Sequence, residues 1–203
     1  MSKRRNIIDW ENFYAEEKVE EMPWFFEPLD HDVERAIGEE GLSKIRVLDL
    51  GSGPGTQAIA LAERGFELVG TDISKSAVKG AIERTKKLGL GIEFIVDDIL
   101  KTKLTSGFDL IIDRGCFHTL HAEEREAYLL NVSSLLKSEG YLFLKCFSHL
   151  ELMDEGPYRF SPEEIRELFS DKFEIKSIED SEFHGTLGTF PKALFCIFKK
   201  SSR

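Results

Sequence analysis

The sequence predicts an α/β fold built on an open, mostly parallel, doubly wound sheet, and three observations carry that prediction. From residue 45 onward, short β-rich runs alternate with amphipathic stretches; the first run ends in the alternating glycines Gly51, Gly53 and Gly55; and acidic residues recur where the later runs end. A chain of 203 residues suits one full-sized domain with a substantial core.

Residues 45–50 form the first strand and 54–64 the first helix, which Gly65 stops. A strand at 67–71 leads to a helix at 74–88, with Ala77, Val78, Ala81, Ile82 and Leu88 on its apolar side and Gly89 after it. Further strands lie at 92–96, 110–112 and 141–147, and a helix at 122–137 turns Tyr128, Val132, Leu135 and Leu136 inward. Ser161, Pro162 and Glu164 combine an N-cap, a first-turn proline and a capping-box glutamate, opening a helix that buries Ile165, Leu168 and Phe169. Strands at 173–178 and 194–198 close the chain. No helix separates them, so the last pairs antiparallel with its predecessor.

Residues 1–40 read as an N-terminal helical and aromatic cap segment, and residues 41–203 as the main domain. Trp10, Phe13 and Tyr14 share helical spacing, and Trp24, Phe25 and Phe26 follow between Pro23 and Pro28. These rings either dock the segment on the core or form a lid over a ligand.

Composition excludes several classes. Lys and Arg total 27 against 37 Asp and Glu, net −10, so nucleic acid is not an expected partner. The Lys3-Arg4-Arg5 cluster reads as a solvated end. Cys116, Cys146 and Cys196 lie far apart without a Cys-x-x-Cys pair, and the histidines show no ligand spacing, so neither a metal nor a disulfide is expected. That cysteine usage fits a cytoplasmic setting. No stretch approaches the roughly 18 apolar residues that a membrane span needs. A monomer is the default.

Val47-Leu48-Asp49-Leu50-Gly51-Ser52-Gly53-Pro54-Gly55 carries the chemistry. Glycines let backbone approach a ligand, and the helix behind them presents unpaired N–H groups. A dinucleotide fingerprint wants Gly-x-Gly-x-x-Gly or Ala; here Thr56 holds the third position, which makes pyrophosphate a less natural ligand. Asp72 ends the second strand, where it can accept from both hydroxyls of a ribose or cap the next helix beside Ser74. Asp97, Asp98 and Ile99 end the third, where a carboxylate suits an adenine amino group and Ile99 the ring face. Asp113-Arg114-Gly115-Cys116-Phe117-His118 ends the fourth, where a reacting group belongs, and His118 is either a general base or structural. Cys116 lacks the partners of a nucleophile.

On these residues, with Gly70-Thr71-Asp72-Ile73-Ser74, Phe94-Ile95-Val96-Asp97-Asp98-Ile99 and Phe108-Asp109-Leu110-Ile111-Ile112-Asp113, the chain resembles the class I S-adenosylmethionine-dependent methyltransferases from about residue 45 to 199. The resemblance implies a Rossmann-like seven-stranded sheet with an antiparallel last strand. It implies methionine binding at Gly51, Ser52, Gly53 and Gly55, ribose on Asp72, adenine near Ile73, Asp97 or Asp98 and Ile99, and Asp113 and Arg114 facing the methionine end and substrate. The hexapeptide and Gly156-Pro157-Tyr158-Arg159-Phe160 look most like the thiopurine, tellurite-resistance and halide/thiol branch. There, rings like Trp10, Tyr14 and Trp24 cover the cofactor. The expected reaction is methyl transfer from S-adenosylmethionine to a small-molecule nucleophile, leaving S-adenosylhomocysteine. Asp113 or His118 would be the base if one is needed. The alternatives are a nicotinamide-dependent oxidoreductase and a non-catalytic binder of S-adenosylmethionine.

Overall fold

The computed structural model describes residues 9–153 and 156–201; the Lys3-Arg4-Arg5 cluster and the first eight residues of the cap segment lie outside them. Strands β1 (Arg46–Leu50), β2 (Glu67–Asp72), β3 (Glu93–Val96), β4 (Phe108–Arg114) and β5 (Leu136–Ser148) are mutually parallel. With β6 (Arg159–Phe160), β7 (Phe173–Glu182) and β8 (Lys192–Lys200) they form one sheet in the order β3-β2-β1-β4-β5-β8-β7, and two-residue β6 pairs beside β5. The order reverses between β1 and β4, so the carboxyl ends of those strands open the crevice where an α/β sheet takes its ligand.

The last strand is antiparallel, as the absent crossover predicts, and it lies between β5 and β7 and pairs with both. Its central position explains its apolar run: Ala193, Leu194, Phe195, Cys196, Ile197 and Phe198 are all buried. The helices are α1 (Trp10–Glu16), α2 (His31–Glu39), α3 (Thr56–Ala62), α4 (Lys75–Leu88), α5 (Arg125–Leu135) and α6 (Pro162–Phe169). Leu29, Val33 and Ala36 of the α2 region share one core cluster with Ala58, Leu61, Leu110 and Phe195. Tyr128, Val132, Ile165 and Phe169 of α5 and α6 join the other, with Leu48, Ile111 and Leu144. Caps set the helix starts: Ser74 Oγ accepts from the Ala77 N–H at 3.1 Å, and Ser161 forms the predicted capping box with Glu164.

Two elements differ from expectation. Helix α5 ends at Leu135, and Leu136 already belongs to β5, paired with Phe108; an adjacent apolar pair fits a helix face and a buried strand equally well. Helix α2 arises inside the cap segment, where charged residues leave a short stripe of Val33, Ala36 and Ile37 at i, i+3 and i+4. Among the described residues, no helix is long and apolar enough to cross a membrane.

Candidate active site

After β1 the backbone turns through Gly51, Gly53 and Gly55 at φ 66°, 50° and 76°, left-handed conformations that only glycine adopts without a Cβ penalty. The Ser52 N–H donates to the Thr71 carbonyl at 2.7 Å, tying this loop to β2. Asp72, at the end of β2, accepts from the Gly53 and Ser74 N–H groups, each at 2.9 Å. One carboxylate therefore holds both the glycine loop and the start of α4, and burial pushes its pKa up. Ile73, which follows Asp72 in the chain, and Val96, the register partner of Asp72 on β3, stand 55% and 44% exposed. That places exposed apolar side chains next to a buried acid.

Helix α1 lies across this crevice. The Glu11 carboxylate accepts from Ser74 Oγ at 2.8 Å, the Ser76 N–H at 3.1 Å and Ser76 Oγ at 2.8 Å, latching α1 to the positive end of α4. Trp24 packs among Trp10, Phe13 and Tyr14, with ring centroids at 5.8, 5.3 and 6.4 Å. The Tyr14 hydroxyl reaches the loop itself: a Cβ on Gly53 would lie 2.5 Å from it. Burial, then the nearby Asp72 charge, pushes the phenol pKa up, so it stays a neutral donor.

The carboxyl end of β4 reaches the same loop, since a Cβ on Gly51 would lie 3.0 Å from Cys116 Cβ. Asp113 is fully buried and accepts from the Gly115, Cys116 and Phe117 N–H groups and the Tyr128 hydroxyl at 2.7–3.0 Å. Burial outweighs these bonds and pushes its pKa up to about 6. The side chain shapes the hexapeptide turn, and its oxygens are engaged by these four donors. Burial, then Asp113, pushes the Cys116 thiol well up, which keeps it protonated. His118 is buried and accepts the Phe147 N–H on Nδ1 at 3.0 Å. Burial, then Arg114, pushes its pKa down to about 3, so the ring is neutral at physiological pH, with its accessible lone pair already in use.

Asp49 lies buried inside β1 and accepts from the Ala58 N–H at 3.2 Å; burial pushes its pKa up to about 7. The folded state thus binds this proton more tightly than the unfolded chain does, whose Asp titrates near about 3.9. The protonated group's contribution is complete below that value and is lost as pH rises through about 7. Asp49→Asn, which keeps an oxygen for Ala58, should gain on the native protein by about 3–4 kcal/mol between pH 4 and 8. Urea unfolding at both pH values measures it.

Arg114 has a different task from the one expected. Its Nε donates to Asp30 at 2.8 Å, Nη1 to the Trp24 carbonyl at 3.3 Å and Nη2 to the His184 carbonyl at 2.5 Å. Lys145 Nζ lies 2.7 Å from Asp30 and 2.8 Å from Asp32, with its side chain 1% exposed. Burial alone would raise the Asp30 pKa; the Lys145 and Arg114 cations outweigh it and hold it below the usual carboxylate range. This cluster joins the cap segment, β4, β5 and the β7–β8 loop. Pattern reading missed Asp30, Lys145 and the role of Asp49. The available signal was a charge inside an apolar strand: Asp49 in Val-Leu-Asp-Leu and Lys145 in Leu-Phe-Leu-Lys-Cys-Phe.

Residues 42–184 match the family model described as a methyltransferase domain. The chain belongs to that family. This methyltransferase is S-adenosylmethionine-dependent, and the oxidoreductase and non-catalytic alternatives fall with that result. An uncharacterized methyltransferase of Schizosaccharomyces pombe is 36% identical over 103 residues, covering 50% of this chain and 71% of the relative. The 2-heptyl-1-hydroxyquinolin-4(1H)-one methyltransferase of Mycobacteroides abscessus is 28% identical over 188 residues, covering 88% and 82%. A solved structure reported under "Conversion of a Disulfide Bond into a Thioacetal Group during Echinomycin Biosynthesis" superposes with TM-score 0.82 at 24% identity, covering 95% of this chain and 92% of that one, a likeness of fold.

The methyltransferase brings Gly51, Ser52, Gly53, Gly55, Asp72, Ile73, Trp10, Tyr14 and Trp24 together at one crevice. Asp97 and Asp98 lie at its edge as caps, accepting from the Lys103 N–H at 3.1 Å and the Leu100 N–H at 2.9 Å. Ile99 departs from expectation: it is 6% exposed and belongs to the core cluster with Leu129 and Val132. The exposed apolar surface beside Asp72 belongs instead to Ile73 and Val96.

Proposed function

We propose that this methyltransferase acts on a soft nucleophile of a small molecule, a thiol or heavier chalcogen. The observation that carries this reading is that no predicted base beside the glycine loop is free. The Asp113 oxygens hold four donors, and His118 Nδ1 is occupied. Cys116 stays a thiol and Tyr14 a phenol. Asp49 lies within the strand beneath the loop. A thiol with pKa about 8.5 is already a few per cent thiolate near neutrality and needs no base; an alcohol would.

The residues present suit the cofactor. The glycine loop would take its amino acid end, Asp72 its ribose hydroxyls, and Ile73 and Val96, with Asp98 at the edge, its adenine. When bound, the cofactor supplies an electrophilic methyl group. The chain's own work is alignment and exclusion of water, which in well-oriented reactions is worth an effective molarity of about 10⁵–10⁸ M. The rings of Trp10, Tyr14 and Trp24 close the crevice, and Arg114 fixes Trp24 and the β7–β8 loop around it. The name of the Mycobacteroides abscessus relative, a hydroxyquinolone methyltransferase, supports a small acceptor. Net charge −10 suits such a partner better than a polyanion, and the protein works as a cytoplasmic monomer in this reading.

The test offers benzenethiol, phenol and aniline with labelled S-adenosylmethionine. The expected result is a labelled methyl thioether, formed at a rate that climbs with the thiol's ionisation. Transfer to phenol or aniline with none to the thiol would overturn the reading.

A further inference from the structure

At the carboxyl end of β4, His118 keeps one polar atom unspent. The Phe147 N–H donates to Nδ1 at 3.0 Å, which makes Nδ1 the lone-pair nitrogen and puts the neutral ring's proton on Nε2. Among the described residues that Nε2–H has no hydrogen-bond partner. The ring is held on two sides, by Phe147 at 4.8 Å and Phe183 at 5.5 Å between centroids. The Tyr158 N–H donates to the His118 carbonyl at 2.8 Å and pins the backbone. The Nε2 edge lies over Gly115, where a Cβ would be 3.2 Å from Nε2, and the next residue, Cys116, packs on Gly51. A rigid, oriented donor therefore stands over Gly115, one residue before the cysteine that packs on Gly51, and is flanked by two aromatic rings.

The nearby charges preserve it. Arg114 and Lys145 lie 5.5 and 5.8 Å from the Phe183 ring, and both are paired with Asp30. Asp113 is turned away into its own turn. Among the described residues no carboxylate bonds to the imidazole to stabilise a second ring proton, and burial opposes one.

We infer that His118 determines acceptor specificity as a hydrogen-bond donor: its Nε2–H recognises a lone pair next to the atom that is methylated, while Phe147 and Phe183 pack against the acceptor's apolar body. The inference rests on the proposed soft-nucleophile chemistry and adds the shape of the acceptor to it. The acceptor thiol loses its proton to water before attack. Its sulfur lone pair then forms the new bond to the methyl carbon, and the electrons of the broken bond leave with a neutral thioether. No proton remains for His118 to collect, so the residue recognises and does not titrate.

The experiment compares 2-methoxybenzenethiol with 4-methoxybenzenethiol, which carry the same nucleophile and the same oxygen but differ in where the lone pair sits. The native enzyme should prefer the 2-isomer in kcat/KM. His118→Asn keeps an oxygen for the Phe147 N–H but no donor at Nε2, and should lose about tenfold of that preference, mainly in KM. His118→Gln, whose amide nitrogen reaches the Nε2 position, should restore part of it. An unchanged preference in His118→Asn, or equal loss on both isomers, would overturn the inference while leaving thiol methylation intact. Turnover of neither thiol, with phenol methylated, would remove the chemistry on which it rests. Nitrogen-15 imidazole spectra of the full chain should show the proton on Nε2 with no titration from pH 5 to 8; a proton on Nδ1 would overturn it.

Discussion

Asp30→Ala should lower stability by about 3–5 kcal/mol, the scale of breaking a buried ion pair from one side. The substitution leaves the Lys145 ammonium, 1% exposed, with Asp32 as its remaining carboxylate, and the Arg114 guanidinium with two carbonyls and no counter-charge. It also removes the N-cap of α2, whose side chain accepts from the Asp32 N–H at 3.1 Å, which adds about 1 kcal/mol. Asp30→Asn isolates the charge, since the amide oxygen can still cap. Asp30→Ala with Lys145→Met should recover much of the loss, because a packed apolar side chain often replaces a buried ion pair without cost. Urea midpoints decide among the three. The pH dependence has a definite sign: the folded Asp30 pKa is depressed, so its contribution is present above the unfolded value near about 3.9 and is lost as pH falls through the lower folded value. Native and Asp30→Asn proteins should therefore converge in stability in acid.

What was legible in the sequence was local. Glycine spacing, a capping box and the missing final crossover each occupy a few consecutive residues, and each has one physical meaning that survives folding. The unread features depend on long-range placement. Asp30 and Lys145 are 115 residues apart, and no periodicity links a carboxylate before one helix to an ammonium in a strand on the far side of the chain. Arg114 looked like a ligand for the cofactor because it ends a strand at the right edge of the sheet. Its actual partners, Asp30 and two carbonyls from distant segments, exist only once the cap and the β7–β8 loop have closed. His118 was legible as a chemically interesting residue but not as a donor, since the deciding contact is a backbone N–H from β5. Burial reverses the naive reading for Asp113 too: a strand-end acid reads as a reactive group until four donors are counted around it.

Gly53→Ala should empty the crevice of Tyr14 and cost the enzyme its cofactor, with little loss of fold. An L-residue at φ 50° is strained by about 1–2 kcal/mol, and its methyl would stand 2.5 Å from the Tyr14 hydroxyl. One of the two must move. The loop is tied down by Asp72 and by the Thr71 carbonyl, whereas Tyr14 sits on a seven-residue helix held by the Glu11 latch and by ring contacts. Tyr14 should therefore be the group displaced. The chain's only two tryptophans, Trp10 and Trp24, both pack around that ring, so intrinsic fluorescence reports the movement directly. The same methyl occupies the face on which a ligand would lie against the loop, so S-adenosylhomocysteine affinity should fall by about tenfold or more, roughly 1.4 kcal/mol on the binding scale. Tyr14→Phe combined with Gly53→Ala separates the two effects. Without the hydroxyl the ring can return, so the fluorescence should recover while calorimetry still shows weakened binding. Native-like S-adenosylhomocysteine affinity in Gly53→Ala would mean that the cofactor does not lie along this loop.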